Sequence, residues 1–180
     1  MTVTQPSAVP VVGWKYKYRK AWPTAKARED AVIHVLKQLG ILIIRTGYGS
    51  GTTTQVEGYH ISLDERYDLK APQYGAYFEV TGTTWTKAKS EERFGYPVLA
   101  ILCQKVEDAK QYGVLSQLYF AQVCESEGEI LFIPATECSF YRRGFYSNGE
   151  AEYFLIPWSV YRPPRWLPTV LKKVVIKEGC

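Results

Sequence analysis

The sequence predicts a mixed α/β domain: a single mixed central β-sheet flanked by helices. Three observations carry this. A clear helical segment comes first and short strand-like runs follow, an order that suits one sheet with helices packed on it. With 180 residues there is room for one domain and a short arm. Hydrophobic residues make up 46% of the chain and charged residues 22%, so an ordered core is expected rather than wholesale disorder.

Residues 1–13 contain Pro6, Pro10 and Gly13 and read as an irregular lead-in. From Trp14 to Trp22, aromatic and basic residues interleave. In an extended chain Trp14, Tyr16 and Tyr18 share one side and Lys15, Lys17 and Arg19 the other. Such an arm straps itself to the body by its rings, or places cations on phosphates and rings on bases; the two roles are compatible. Residues 1–22 form this arm and residues 23–180 the domain. Lys15, Lys17, Arg19, Lys20, Lys26 and Arg28 all precede the first acid, Glu29, so residues 1–28 carry +6 and the rest −2 of a net +4. A basic arm before a slightly acidic body favours a polyanionic partner.

Pro23-Thr24 opens a helix and Gly40 closes it. Ala31, Val32, Val35, Leu36 and Leu39 follow helical spacing, while His34, Lys37 and Gln38 fall on the other face, which makes His34 a solvated residue. Glu29 lies in the first turn, where the helix dipole alone favours an acid. Residues 41–45 read as a short strand. The run from Thr46 to Thr54 is rich in glycine and hydroxyls and could offer N–H groups and hydroxyls to phosphate, although it lacks the lysine and spacing of a P-loop and is as readily a flexible turn. Arg45 and Ser50, at this loop, join the arm residues as candidate nucleic-acid contacts.

Strand-like runs follow at 57–63, 66–70 and 76–82, with Pro72 and Gly75 marking the turn before the last. Residues 87–94 are polar and helical in character. Residues 97–104 read as a buried strand, and 118–123, 130–133 and 153–156 as further strands. Pro163-Pro164 breaks the chain, and 167–176 closes it.

The longest apolar runs, 41–44 and 98–103, fall far short of the about 20 residues of a membrane span. The N-terminus lacks a charged stretch followed by an apolar one, so a cytoplasmic location, in the nucleoid or a host cytoplasm, is expected. Cys103, Cys124, Cys138 and Cys180 are spaced by 21, 14 and 42 residues with no nearby histidine pair, which argues against structural zinc. They read as core thiols plus one terminal thiol; a disulfide would suit only a hyperthermophilic source. Asn148 is the only asparagine and Met1 the only methionine, a depletion that leans toward a thermophile.

The stretch that points to chemistry is Arg66-Tyr67-Asp68-Leu69-Lys70, a turn, then Tyr77-Phe78-Glu79-Val80-Thr81-Gly82. Polar residues alternate with apolar ones in both halves, so Asp68 and Lys70 share a face, as do Glu79 and Thr81. A hairpin turning near Gln73 brings Asp68 roughly opposite Glu79, with Cβ atoms about 5 Å apart. Like charges there repel unless a cation lies between them, and paired carboxylates suit Mg²⁺ or Mn²⁺. The alternative is two surface acids paired with Arg66 and Lys70.

Glu29 on a first helix, a strand, a Gly/Ser-rich loop (Gly47 to Gly51), Asp68-Leu69 and Glu79-Val80 together resemble the PD-(D/E)xK nuclease superfamily, with the nearest look to archaeal Holliday-junction resolvases and related small endonucleases. The resemblance covers roughly residues 27–82. Tyr67 stands where that family usually has proline, and Thr81 where it has its lysine. The resemblance implies a restriction-endonuclease-like core, Asp68, Glu79 and the Val80 carbonyl as ligands of Mg²⁺ or Mn²⁺, Glu29 on the metal or one step behind it, and Lys70 or Lys87 in place of the missing lysine. The function it implies is divalent-metal-dependent DNA endonuclease, of archaeal or viral type, with DNA held by Trp14, Lys15, Lys17, Arg19, Lys20, Arg45 and Ser50. Two rivals remain: a nuclease fold that binds nucleic acid without cutting it, which Thr81 favours, and an interaction module whose five Trp and fourteen Tyr build a homodimer interface.

Overall fold

A computed structural model describes residues 18–47, 63, 66–145 and 151–174, with side chains from Thr24 onward. Trp14, Lys15, Lys17 and Ser50, most of the Gly/hydroxyl loop, most of the strand expected at 57–63, and Cys180 lie outside these residues.

The first helix, α1, spans Tyr18–Gln38 and so begins earlier than expected. Pro23 sits inside it rather than at its first turn, where it has no N–H to donate to the Arg19 carbonyl. Residues 18–22 are therefore helical and not extended, and Arg19 and Lys20 fall in the opening turn. Ala31, Val32, Val35 and Leu36 are buried, as their spacing predicts. Ile33 and Leu39 also pack on the core, so the covered arc is wider than the stripe. His34 is consequently half-buried, with Nε2 out of solvent and without a hydrogen-bond partner, and is not the solvated residue that its place on the helix predicts.

After β1 (Ile44–Arg45) come β2 (Leu69–Ala71) and β3 (Ala76–Thr83), joined by a tight 3₁₀ turn over Pro72–Tyr74. Helix α2 (Lys87–Phe94) is capped by Thr86, whose hydroxyl accepts from the Lys89 N–H. Then follow β4 (Val98–Leu102), α3 (Cys103–Gln111), β5 (Leu118–Cys124), β6 (Glu129–Pro134), a single turn α4 (Ala135–Cys138), β7 (Arg143–Phe145), β8 (Glu152–Pro157) and a closing turn α5 (Leu167–Val170). The run expected as one strand over 97–104 breaks at Leu102 and continues as α3. The segment expected over 167–176 forms one helical turn and then leaves regular structure.

The central sheet has strand order β1-β2-β3-β5-β6. Its β3–β5 pair is parallel and the others antiparallel, so the mixed sheet is as predicted. A second sheet, β4-β8-β7, is antiparallel and was not anticipated as a separate layer. Strand alternation gives the central sheet two faces. Leu69, Phe78, Ala121 and Val123 point to α1. Tyr77, Leu118, Phe120 and Cys124 point the other way, to a core shared with Leu99, Ile101, Val106 and Phe154 of the second sheet and α3. The carboxylates Asp68 and Glu79 alternate onto this second face.

Cys103, Cys124 and Cys138 are buried and free. Burial raises all three thiols, that of Cys138 to about 12 and that of Cys124 higher still. Native protein should therefore resist alkylation of these three at pH 8 and label fully once unfolded. Rapid labelling of any of them in the native state, read by mass spectrometry, would contradict this packing.

Candidate active site

The site is built on the β2–β3 hairpin. Leu69 faces Phe78 and Lys70 faces Tyr77. Carrying that register one residue outward sets Asp68 opposite Glu79. The Val80 N–H donates to Asp68 Oδ2 at 2.8 Å, which draws this carboxylate across the strand pair toward Glu79. The Asp68 carbonyl accepts from the N–H groups of Thr46 and Gly47 at 3.1 and 3.4 Å, so the start of the glycine-rich loop is tied to the same spot. Gly47 is required there: a Cβ would lie 2.8 Å from the Tyr67 carbonyl oxygen.

Glu79 is 7% exposed. One of its oxygens, Oε2, pairs with the ammonium of Lys105; the other, Oε1, is buried with no hydrogen-bond partner. Burial raises Asp68 above the ordinary carboxylate range, against the Val80 N–H, Lys105 and Arg45, which lower it. Burial also lowers Lys105, opposed by Asp68 and Asp108. Two carboxylates and one ammonium thus share a partly desolvated corner, and one carboxylate oxygen is left orphaned there. That oxygen-only donor set fits Mg²⁺ or Mn²⁺, ions that keep several of their own waters and need few protein ligands. Among the described residues no group of three or more His, Cys, Asp or Glu gathers closely enough to hold a metal, so the fit rests on Asp68 and Glu79 with main-chain oxygen.

The sign of the Asp68 shift makes a prediction. A carboxyl raised in the fold binds its proton more tightly folded than unfolded, so stability is lost as pH rises from its ordinary value of 3.8 through the raised one. Asp68→Asn should raise the melting temperature of metal-free protein at neutral pH, with the gain vanishing near pH 4. An equal gain at both pH values would remove the electrostatic cause.

Lys105 is the residue the sequence reading missed. It lies in the first turn of α3, whose Cys103, Val106 and Ala109 are buried at a spacing of three. That change of rhythm directly after the apolar run 98–102 was the available signal. Lys70 instead lies over the Tyr77 ring, 5.5 Å from its centroid. Lys87 pairs with Glu129 at 3.7 Å and lies 5.6 Å from the centroid of Trp158. Thr81, where the resemblance expects lysine, lines the pocket beside Glu79.

Glu29 is buried on α1 and accepts from Arg45 Nη1 at 2.6 Å. Asp30 takes the other arm of the guanidinium. Because α1 covers the opposite face of the sheet from Asp68 and Glu79, Glu29 meets Arg45 at the β1 edge, and it is the charge of Arg45 that acts on Asp68. Arg45 is thus committed to two acids as well as to the outer surface.

The neighbouring residue, Arg28, anchors α1. Its Nε donates to Glu125 Oε1 at 3.1 Å, and their side chains are only 9% and 11% exposed. Gly82 leaves room for this: a Cβ there would lie 2.5 Å from Arg28 Nε. Arg28→Ala strands a buried Glu125 and should cost about 3–5 kcal/mol, a fall of roughly 10 °C in melting temperature for a chain of this size. Gly82→Ala should act in the same direction. A drop under about 2 °C for Arg28→Ala would show that the pair contributes little.

A family model for a viral/archaeal nuclease matches residues 26–158. Uncharacterized protein D-244 of Sulfolobus spindle-shape virus 1 is 30% identical over 141 residues, which are 71% of this chain and 58% of that protein; the chain therefore spans little more than half the length of this relative. Among solved structures, D212, a nuclease from a fusellovirus, is 22% identical with a TM-score of 0.52, covering 89% of this chain and 92% of that one. Hjc, a Holliday junction resolvase from the archaeal hyperthermophile Archaeoglobus fulgidus, is 14% identical with a TM-score of 0.42, over 77% of this chain and 94% of that one. No helix among the described residues is long and apolar enough to cross a membrane.

Proposed function

The chain belongs to the viral/archaeal nuclease family, and from that premise we propose that it is a divalent-metal-dependent DNA endonuclease that hydrolyses phosphodiester bonds at Asp68 and Glu79. The observation that carries this reading is the corner where Asp68 stands opposite Glu79, with Glu79 Oε1 buried and unpartnered and Lys105 on Oε2. D212, described as a nuclease, shares the fold, which agrees with it.

Asp68, Glu79 and the Val80 carbonyl would hold Mg²⁺ or Mn²⁺. When bound, such an ion lowers the pKa of a water and offsets charge on the scissile phosphate. The protein's own part is to hold two carboxylates at a fixed separation, exclude bulk water from one side of them, and set a cation beside the reacting phosphate. Lys105 supplies that cation from α3, at the carboxylate that the lysine two residues on would otherwise reach. Glu29 acts at one remove, by holding Arg45. Lys15, Lys17, Arg19 and Lys20 would grip the DNA backbone, making binding strongly salt-dependent. The binding-only alternative drew on Thr81; an ammonium already on Glu79 favours chemistry over it.

Cleavage of branched, duplex and single-stranded DNA by the wild-type protein tests this. Activity should require Mg²⁺ or Mn²⁺ and stop in EDTA. Salt-sensitive binding with no cleavage under any divalent ion would leave the binding-only reading standing.

A further inference from the structure

The site does not end at the carboxylates. A pocket of about 250 Å³ is lined by Glu79, Val80, Thr81 and Lys105 together with residues of β4, β5 and β8. Part of its lining is charged and polar. Another part is apolar and aromatic, from Leu102, Phe120 and Tyr153. Leu102 and Tyr153 face each other across β4 and β8, and Phe120 lies beside Glu79 on β5. The apolar wall is therefore assembled from both sheets and opens directly onto the candidate catalytic residues.

A phosphate group needs only the charged part of this lining. A fully paired duplex keeps its bases stacked inside and offers nothing to an aromatic and aliphatic wall. A base outside the stack does, and such bases are commonly held between apolar and aromatic side chains. The volume is below the roughly 300–1,000 Å³ of sites for drug-sized ligands, which suits one ring system. We propose that this pocket receives one nucleobase extruded beside the scissile phosphate, with Tyr153 as its stacking wall, so that the favoured substrate is DNA with an unpaired nucleotide at the cleavage point. The proposal rests on the hydrolytic reading above. It also gives Thr81 a reason: with the ammonium supplied by Lys105 from α3, position 81 stays small and leaves the most room beside Glu79. Extrusion costs least for a base that is already unpaired, which sets the direction of the preference.

The test measures affinity in EDTA for two DNA duplexes that differ only by a single-nucleotide bulge. The wild type should prefer the bulged duplex by roughly tenfold, the size of one aromatic–base stack, and the ratio should fall to about one in Tyr153→Ala. With 2-aminopurine as the bulged base, binding of the wild type should change its fluorescence, a readout that holds even where the variant does not fold. Equal affinities in the wild type, no binding of either duplex, an unchanged 2-aminopurine signal, or an undiminished preference in a folded Tyr153→Ala each overturn the pocket. Cleavage of paired duplex with no bulge preference keeps the hydrolytic reading and removes the pocket. Bulge-selective binding with no cleavage under any divalent ion does the reverse.

Discussion

A Glu79→Ala variant is expected to cleave DNA about 10³–10⁴-fold more slowly than the wild type, the loss that follows when several kcal/mol of metal-borne charge stabilisation goes. Glu79 is the pivot of the corner. It faces Asp68 across the hairpin, meets Lys105 from α3, and keeps one buried oxygen without a partner. Alanine removes the orphaned oxygen and the partner of Lys105 together, so the fold should survive: Lys105, half-exposed along its side chain, can swing to solvent. Calorimetry should show Mn²⁺ binding weakened in parallel with activity. Wild-type rates in this variant would move the chemistry elsewhere, whereas lost activity with intact Mn²⁺ binding would separate Glu79 from the metal.

The second large effect concerns the missing lysine. Lys105→Met should lower cleavage about 10²–10³-fold, as removal of one preorganised charge at a developing anion does. Methionine keeps the length and apolar character of the stem, so packing beside Val106 is little disturbed. Lys70→Ala and Lys87→Ala should have far smaller effects, because their ammonium groups lie against Tyr77 and against Glu129 and Trp158. The sharper test is relocation: adding Thr81→Lys to Lys105→Met returns an ammonium to the face of Glu79 from β3 itself and should recover part of the loss. Failure of that pair, with Lys70→Ala costing as much as Lys105→Met, would transfer the role to β2.

The hairpin at the centre of this site was legible because it is local. Pro72 and Gly75 mark its turn, and alternation in 66–70 and 76–82 sorts each side chain to a face; a hairpin there puts Asp68 roughly opposite Glu79, and the observed pairing of Leu69 with Phe78 fixes that register. The polar helix at 87–94 was legible for the same reason, with Thr86 as its cap. Lys105 was not, because the apolar run 98–102 flows into Cys103 without a glycine or proline to mark the change, and α3 is only nine residues long. Nor was the second sheet: β4 pairs with β8, and β7 with β8, and nothing in the alternation of a strand names its partner.

The sequence alone determined the pair of carboxylates, the face they share and the mixed α/β class, which follow from backbone geometry acting over a few residues; the family resemblance rests on the identity of the motif residues themselves. The tertiary structure decided which cation meets them. It set α1 on the far face of the sheet, so that Glu29 connects through Arg45 instead of joining Asp68 and Glu79, and it folded α3 over the near face, so that Lys105 reaches Glu79 where Thr81 does not. It also brought Leu102 of β4 and Tyr153 of β8 face to face in the wall of the pocket. These contacts join residues far apart in the chain, and they form because both faces of the central sheet must be buried, one under α1 and the other under α3 and the second sheet.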